Sequence, residues 1–241
     1  MNSSNYLPET KEKEKSENKK TKNPYVKFSF MITYILLLTT ATITFIEALR
    51  TKNPTIRHIF NLETCISLIA SYFYLLFLDR IDKSNVSGDP INWTEITELR
   101  YIDWSITTPF MLLSLLVVLA FNSKKIVHIT LLLPVILLNY IMLFAGYLGE
   151  INYISRFTGM IVGFIAFFIM FFMIYVNYMN ATFIFSNALI YWLYFIVWSI
   201  YGIVYMCNEE TKNIITNLLD CIAKCLIGIF LWVYYTGIVK S

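Results

Sequence analysis

Long apolar segments, separated by short polar connections, are the feature that most limits the folds open to this 241-residue chain. A helix needs about 20 mainly apolar residues to cross the hydrocarbon core of a bilayer. Seven segments meet that requirement: residues 25–49, 56–78, 97–121, 126–147, 157–178, 183–206 and 213–239. Hydrophobic residues make up 57% of the chain and charged residues 15%, against roughly 45–50% and about 25% in soluble domains. The sequence therefore predicts an all-α membrane protein, a seven-transmembrane helix bundle.

The chain divides into two parts of different composition. Residues 1–24 alternate Lys with Glu and contain almost no large apolar residues. Such a segment cannot bury enough surface to fold by itself. We expect a disordered, charged N-terminal tail over residues 1–24 and one membrane domain over residues 25–239. Its partner is then the lipid bilayer, and the sequence indicates no nucleic-acid partner.

Charged residues in the short loops predict the orientation of the bundle, because Lys and Arg accumulate in cytoplasmic loops. The first and third loops are basic, with Arg50, Lys52, Arg57, Lys124 and Lys125. The second loop is mainly acidic, with Asp79, Asp82, Asp89 and Glu95. The Lys-rich tail opposes the assignment, but its lysines are interleaved with glutamates. We therefore expect loops one and three in the cytoplasm and the N-terminus outside.

A few ionisable residues lie inside the apolar segments, where a charge is costly and usually functional. They are Glu47, Glu63, Arg100, Asp103, Asp220 and Lys224. Arg100 and Asp103 stand three residues apart, and Asp220 and Lys224 four apart, so each pair shares one helix face. Lys224 lies too deep to reach the interface, roughly 16 Å or more from either end of its segment. If the two helices touch, the four charges cancel, although a pair that only fixes helix register would look the same.

Two motifs on different segments resemble those of the microbial (type 1) rhodopsins. Residues 100–116 read "RYIDWSITTPFMLLSLL", which contains the family's Arg-x-x-Asp-Trp-x-x-Thr-Thr-Pro pattern, and "DCIAK" at 220–224 matches its Asp-x-x-x-Lys. The sixth segment adds "WSIYGIVY" and the fourth adds "NYIM". The similarity runs in order through residues 25–239, and the chain most resembles the viral and algal-associated branch of the family. It implies that Lys224 carries all-trans retinal as a Schiff base.

The resemblance also implies roles for the charged residues near Lys224. Asp103 resembles the primary proton acceptor, and Asp220 the second part of the counterion. Arg100, Tyr74 and Thr107 would complete the charge complex, with the Thr107 hydroxyl bonded to the Asp103 carboxylate.

A further set of residues resembles the retinal pocket. These residues are Trp104, Thr108, Met111, Met142, Trp198, Tyr201 and Tyr205. Two positions in the sixth segment depart from the family, because Gly202 stands where many relatives have Pro and Tyr205 where a Trp is common. We expect both departures to affect helix bending and colour rather than retinal binding.

Three positions are diagnostic of transport type in this family, and here they read Asp103, Thr107 and Ser114. Many pumps have a carboxylate at the third position, which returns a proton to the Schiff base. A serine cannot do this alone. Glu63 lies at a comparable depth in the second segment and is the donor candidate together with Ser114; a neutral Glu hydrogen-bonded between helices is the alternative. Glu209 and Glu210 are candidates for proton release, or else solvated loop residues.

Three functions are compatible with these residues. An outward light-driven proton pump comes first, because Asp103 is the acceptor residue of proton pumps. A light-gated cation channel is the alternative, and a photosensor ranks below both because no output domain is visible in the sequence. We expect no enzymatic activity and no metal site, a homo-oligomer, and residence in the cell membrane of the producing or host cell.

Overall fold

The computed structural model describes residues 24–180 and 183–237. Seven of its helices are long and apolar enough to span a bilayer: α1 Pro24–Arg50, α2 Pro54–Ser87, α3 Trp93–Asn122, α4 Ile129–Glu150, α5 Arg156–Tyr178, α6 Phe185–Val204 and α7 Glu209–Thr236. No strand occurs in the described ranges. The predicted all-α, seven-helix membrane fold is thus confirmed. The outside position of the N-terminus remains a prediction, and the tail proposed for residues 1–24 lies, up to residue 23, outside the described residues.

Several helices extend beyond the predicted apolar segments into polar sequence, α2 and α7 among them. α2 runs to Ser87 rather than ending at residue 78. Its charged last turns are held by an ion pair between Lys83 Nζ and Asp79 Oδ2, 2.7 Å apart, and Gly88 ends the helix at φ 82°. α7 begins at Glu209 instead of residue 213 because the side chain of Asn208 caps its first turn. Hydropathy marks where a helix enters lipid, whereas caps determine where it ends.

The bundle has its polar side chains inside and much of its apolar surface outside. Large side chains such as Phe28, Leu133 and Phe172 are exposed on α1, α4 and α5, as expected for helices that face lipid. Glu63 and Asp103 are buried in the interior. A charge in hydrocarbon is costly, so these groups are stable only where other helices supply their partners.

Two local irregularities shape the helices around the interior charges. Pro109 lies inside α3 and cannot donate to the carbonyl of Ser105, four residues earlier. The hydroxyl of Tyr140 on α4 donates to that carbonyl at 3.1 Å. In α7, residues Cys221–Leu226 form a π-helical segment, a widened turn that often occurs at functional sites. This segment carries Lys224 into the centre of the bundle.

Candidate functional site

The Lys224 amine lies between two carboxylates in the middle of the bundle. Its Nζ donates to Asp103 Oδ2 at 2.9 Å and lies 3.7 Å from Asp220 Oδ1. All three side chains are 2% exposed or less. The structure thus brings together α3 and α7 at the positions that the sequence motifs indicated. An amine at this depth is balanced by nearby negative charge rather than by water.

Asp220 is held by several donors. The hydroxyl of Tyr74 donates to its Oδ2 at 2.7 Å, and that of Tyr201 to its Oδ1 at 2.6 Å. Arg100 Nη1 also donates to Oδ2, at 3.5 Å. Hydrogen bonds to an ionised acceptor are stronger than those between neutral groups. Asp220 is therefore a fixed negative charge with its lone pairs largely used.

Asp103 has fewer partners. Its Oδ1 is buried and has no hydrogen-bond partner among the described residues. The Thr107 hydroxyl, which we expected on this carboxylate, instead donates to the backbone carbonyl of Asp103 at 2.9 Å. One oxygen of Asp103 is therefore free to take a proton or a further hydrogen bond, in contrast to Asp220.

Arg100 binds two asparagines that the sequence motifs did not indicate. Its Nη2 donates to Asn217 Oδ1 at 2.9 Å and to Asn213 Oδ1 at 3.0 Å. The guanidinium also lies 4.9 Å from the ring centre of Phe77, within cation–π range. The signal for both asparagines was present, since positions 213, 217, 220 and 224 recur at the spacing of one helix face. Arg100 thus reaches two side chains in the first turns of α7.

An aromatic cavity adjoins the Lys224 amine, and we call it the chromophore cavity. Asp220 and Lys224 line it. All seven residues proposed for the retinal pocket also line it: Trp104, Thr108, Met111, Met142, Trp198, Tyr201 and Tyr205. A long apolar aldehyde needs an apolar cleft, an amine to bond and acids to balance the resulting cation. The cavity, Lys224 and the unpartnered oxygen of Asp103 supply these, so the residues present fit retinal.

Small residues permit close packing around this cavity. A Cβ on Gly202 would lie 2.6 Å from the ring of Phe164 on α5. A Cβ on Gly149 would overlap the hydroxyl of Tyr205, which donates to the carbonyl of Gly146 at 2.9 Å. Both departures from the family pattern, Gly202 in α6 and Tyr205 directly after it, thus have local partners. Gly202 makes room for an aromatic ring, and Tyr205 ties α6 to α4.

Glu63 and Ser114 form a second buried polar site. The Ser114 hydroxyl donates to Glu63 Oε1 at 2.6 Å, and each residue is 1% exposed. Ser114 lies 11 residues from Asp103 along α3, or about 16 Å at 1.5 Å per residue. Thr44 and Thr64 share a hydrogen bond of 2.9 Å on the neighbouring turns of α1 and α2. The pairing expected of Glu63 with Ser114 is present in the structure.

The two release candidates have different surroundings. Glu210 is exposed. Glu209 forms ion pairs with Arg156 and Lys212. Those cations also bind Glu150 at the end of α4, which the sequence analysis missed because a lone Glu at a helix end resembles a solvated residue.

Comparison with known proteins agrees with this geometry. A family model described as a bacteriorhodopsin-like protein matches residues 25–238. The solved structure of the viral rhodopsin OLPVRII has a TM-score of 0.82 and 40% sequence identity, covering 88% of this chain and 98% of that chain. The blue light-absorbing proteorhodopsin from Med12 matches with a TM-score of 0.70 and 22% identity, covering 90% and 99%. The proton pumping rhodopsin AR2 from the marine alga Acetabularia acetabulum gives 0.72 and 18%, covering 90% and 97%.

The last two similarities show the fold alone, whereas the viral rhodopsin and the family model cover most of the chain at higher similarity. No curated protein matches the chain significantly. The chain belongs to the bacteriorhodopsin-like family of microbial rhodopsins, multi-pass integral membrane proteins that bind a retinal chromophore, and it is similar to a viral member of that family.

Proposed function

We propose that this protein is an outward light-driven proton pump with all-trans retinal attached to Lys224. The supporting observation is the pair of buried carboxyl sites at two depths, Asp103 beside the Lys224 amine and Glu63 beside Ser114. When bound, retinal supplies the light absorption and the change of shape that displaces the positive charge at Nζ. The side chains described above determine where a proton then moves.

Asp103 is the better acceptor of the two carboxylates near Lys224. It lies 2.9 Å from Nζ, and its second oxygen has no partner among the described residues. Asp220 already accepts hydrogen bonds from Tyr74 and Tyr201, and these stabilise its ionised form. Asp103 therefore takes the proton while Asp220 remains the permanent negative charge.

Glu63 is the residue that returns a proton to the amine. An isolated ionised carboxylate is costly in an apolar interior, and among the described residues only the Ser114 hydroxyl bonds the Glu63 carboxyl. Glu63 therefore holds its proton in the dark and donates it after Asp103 has taken up the proton from Lys224 Nζ. Its place near the start of α2 puts the donor on the predicted cytoplasmic side, so the net movement is outward.

A light-gated cation channel is the second candidate. Hydroxyl groups of Thr44 and Thr64 lie on the helices that bury Glu63, and a serine stands where many pumps have a carboxylate. A hydrated path along these groups would lower the barrier to ion passage on the predicted cytoplasmic side. Ions would then flow passively down their gradient instead of being pumped.

Currents recorded from illuminated membranes at several voltages decide between the two. A pump gives a current in one direction that persists when voltage and ion gradients are zero. A current that reverses sign near the equilibrium potential of a cation would refute the pump and establish the channel.

Assembly into a homo-oligomer is part of the same proposal. The outer faces of α1, α4 and α5 expose many large apolar side chains, which either lipid or a second copy can cover. The mass of the protein in native membrane discs measures the number of copies; a single copy per disc at all concentrations would refute the oligomer.

A further inference from the structure

We propose that Glu150 is the relay carboxylate through which the exported proton leaves the bundle, in place of Glu209 or Glu210. This inference rests on the proposed pumping function and deepens it. It depends on three observations: where Glu150 lies, what holds it, and how it is connected to the charges around Lys224.

Glu150 lies between two cavities. It lines the chromophore cavity, as do Lys224 and Asp220. It also lines a second cavity nearer the predicted outer surface, the outer cavity, which is bordered by Arg156 and Glu209. Glu150 and Thr97 are the described residues that border both spaces. Thr97 carries no charge, so Glu150 is the shared residue that can take up a proton from one space and release it to the other.

Two cations hold Glu150 in this position. Lys212 Nζ donates to both carboxylate oxygens at 2.9 Å, and Arg156 Nη2 donates to Oε2 at 2.8 Å. The Glu150 side chain is 5% exposed. The contacts join the predicted outer ends of α4, α5 and α7 at the place where the two cavities share lining residues. Both cations oppose protonation of the carboxylate they bind, so Glu150 takes up a proton when these contacts loosen.

The amide of Asn213 connects this boundary to the charges around Lys224. Its Oδ1 accepts from Arg100 Nη2 at 3.0 Å, and its Nδ2 donates to the carbonyl of Glu209 at 2.8 Å. Lys212 precedes Asn213 in α7. A movement of Arg100, when the charge around Asp103 changes, is therefore transmitted to the residues that hold Glu150.

Charge balance favours one proton at a time. The four outer side chains, Glu150, Glu209, Lys212 and Arg156, have a formal sum of zero, as do Lys224, Arg100, Asp103 and Asp220. An arriving proton makes Glu150 neutral and weakens both of its ion pairs. The proton then passes to water of the outer cavity, and the regenerated carboxylate binds Lys212 and Arg156 again.

The two other acids are less well placed. Glu209 lines only the outer cavity, and Glu210 is absent from the described lining of both. Glu210 is exposed at the start of α7, next to Glu209, and is therefore the matched control.

The test is the time at which a proton appears in solution after a light flash, read with a pH-sensitive dye on the full chain reconstituted with all-trans retinal in detergent. Glu150→Gln should delay release by about tenfold or more, as loss of a proton-transfer group does. Glu210→Gln should change release by less than about twofold, as expected of a surface substitution. The early absorption change that reports deprotonation near Lys224 should be unaltered in both.

Glu150→Asp, which keeps the charge, should restore most of the release rate. If Glu150→Gln forms no pigment, Glu150→Gln/Lys212→Gln takes its place, because the remaining Arg156 and Glu209 are neutral together. Release from the Gln variant within about twofold of the unsubstituted chain, or an equal delay in Glu210→Gln, would overturn the inference. The dye reports release of a proton to solution, which does not require net transport across a membrane. A channel-like current would therefore refute the pump and leave the result for Glu150 intact.

Discussion

At the scale of single residues, the two carboxylates beside Lys224 differ in how firmly they are held. Asp220 accepts hydrogen bonds from two tyrosines and Arg100. Within the described part of the chain, Asp103 has one side-chain donor and one oxygen without a partner. The different roles proposed for these chemically identical groups therefore rest on the difference in their surroundings.

Replacing Asp103 by Asn should leave pigment formation intact, shift the absorption to longer wavelength and abolish transport. The shift is expected because a negative charge near Nζ stabilises the ground state, in which the positive charge is concentrated there. Visible spectra and light-induced pH changes in vesicles measure both effects. Asp82→Asn is the control, since Asp82 is partly exposed and paired with Lys27. Transport that survives Asp103→Asn would remove Asp103 as the acceptor.

Replacing Glu63 by Gln should slow the last proton return to the amine by about a hundredfold, the lower range for loss of a general acid. Added azide, a small mobile donor, should restore the rate. Ser114→Ala should slow it less, because Glu63 keeps its proton but loses the hydroxyl that orients it. Flash photolysis measures decay of the deprotonated intermediate, and decay that is unchanged in Glu63→Gln would exclude it as the donor.

At the scale of helices, the sequence predicted the seven spans and the residues that carry motifs, but not contacts that arise from packing. Asn213, Asn217 and Glu150 are polar residues whose burial depends on how neighbouring helices approach. Thr107 illustrates a finer limit. One turn of α3 brings its hydroxyl within reach of both the carboxylate and the carbonyl of Asp103, and the spacing alone does not decide between them.

Gly202 is one of the points at which α6 packs closely against α5. A methyl group there would meet the Phe164 ring at 2.6 Å, so Gly202→Ala should destabilise the pigment by about 1–3 kcal/mol, the usual cost of overpacking. Phe164→Leu in the same chain should recover part of that loss because the smaller side chain can yield. Thermal bleaching of the four forms in a double-mutant cycle gives the coupling energy; strictly additive losses would show that the two residues do not interact.

At the scale of the whole molecule, three polar layers follow one another along the bundle. The Glu63 site lies towards the predicted cytoplasmic end, the charges around Lys224 at the centre, and the Glu150 cluster towards the predicted outer end. Apolar side chains separate the first two layers. On α3, Met111 and Leu112 are buried between Asp103 and Ser114, and Leu115 is buried directly after Ser114. Transport in one direction needs this order, because each proton group must be reached from one side of the membrane at a time.

The proposed direction of transport depends on the orientation of the bundle, which the loop charges predict and which labelling can measure. With the N-terminus outside, a membrane-impermeant maleimide should react with Asp89→Cys in intact cells and with Lys52→Cys only after permeabilisation, because both positions are exposed in loops at opposite ends of the bundle. A Cys65→Ser/Cys207→Ser background is needed, since Cys65 is exposed on α2 and Cys207 is half-buried between α6 and α7. The opposite labelling pattern would place Glu63 on the outside, and the same order of proton groups would then carry protons into the cell.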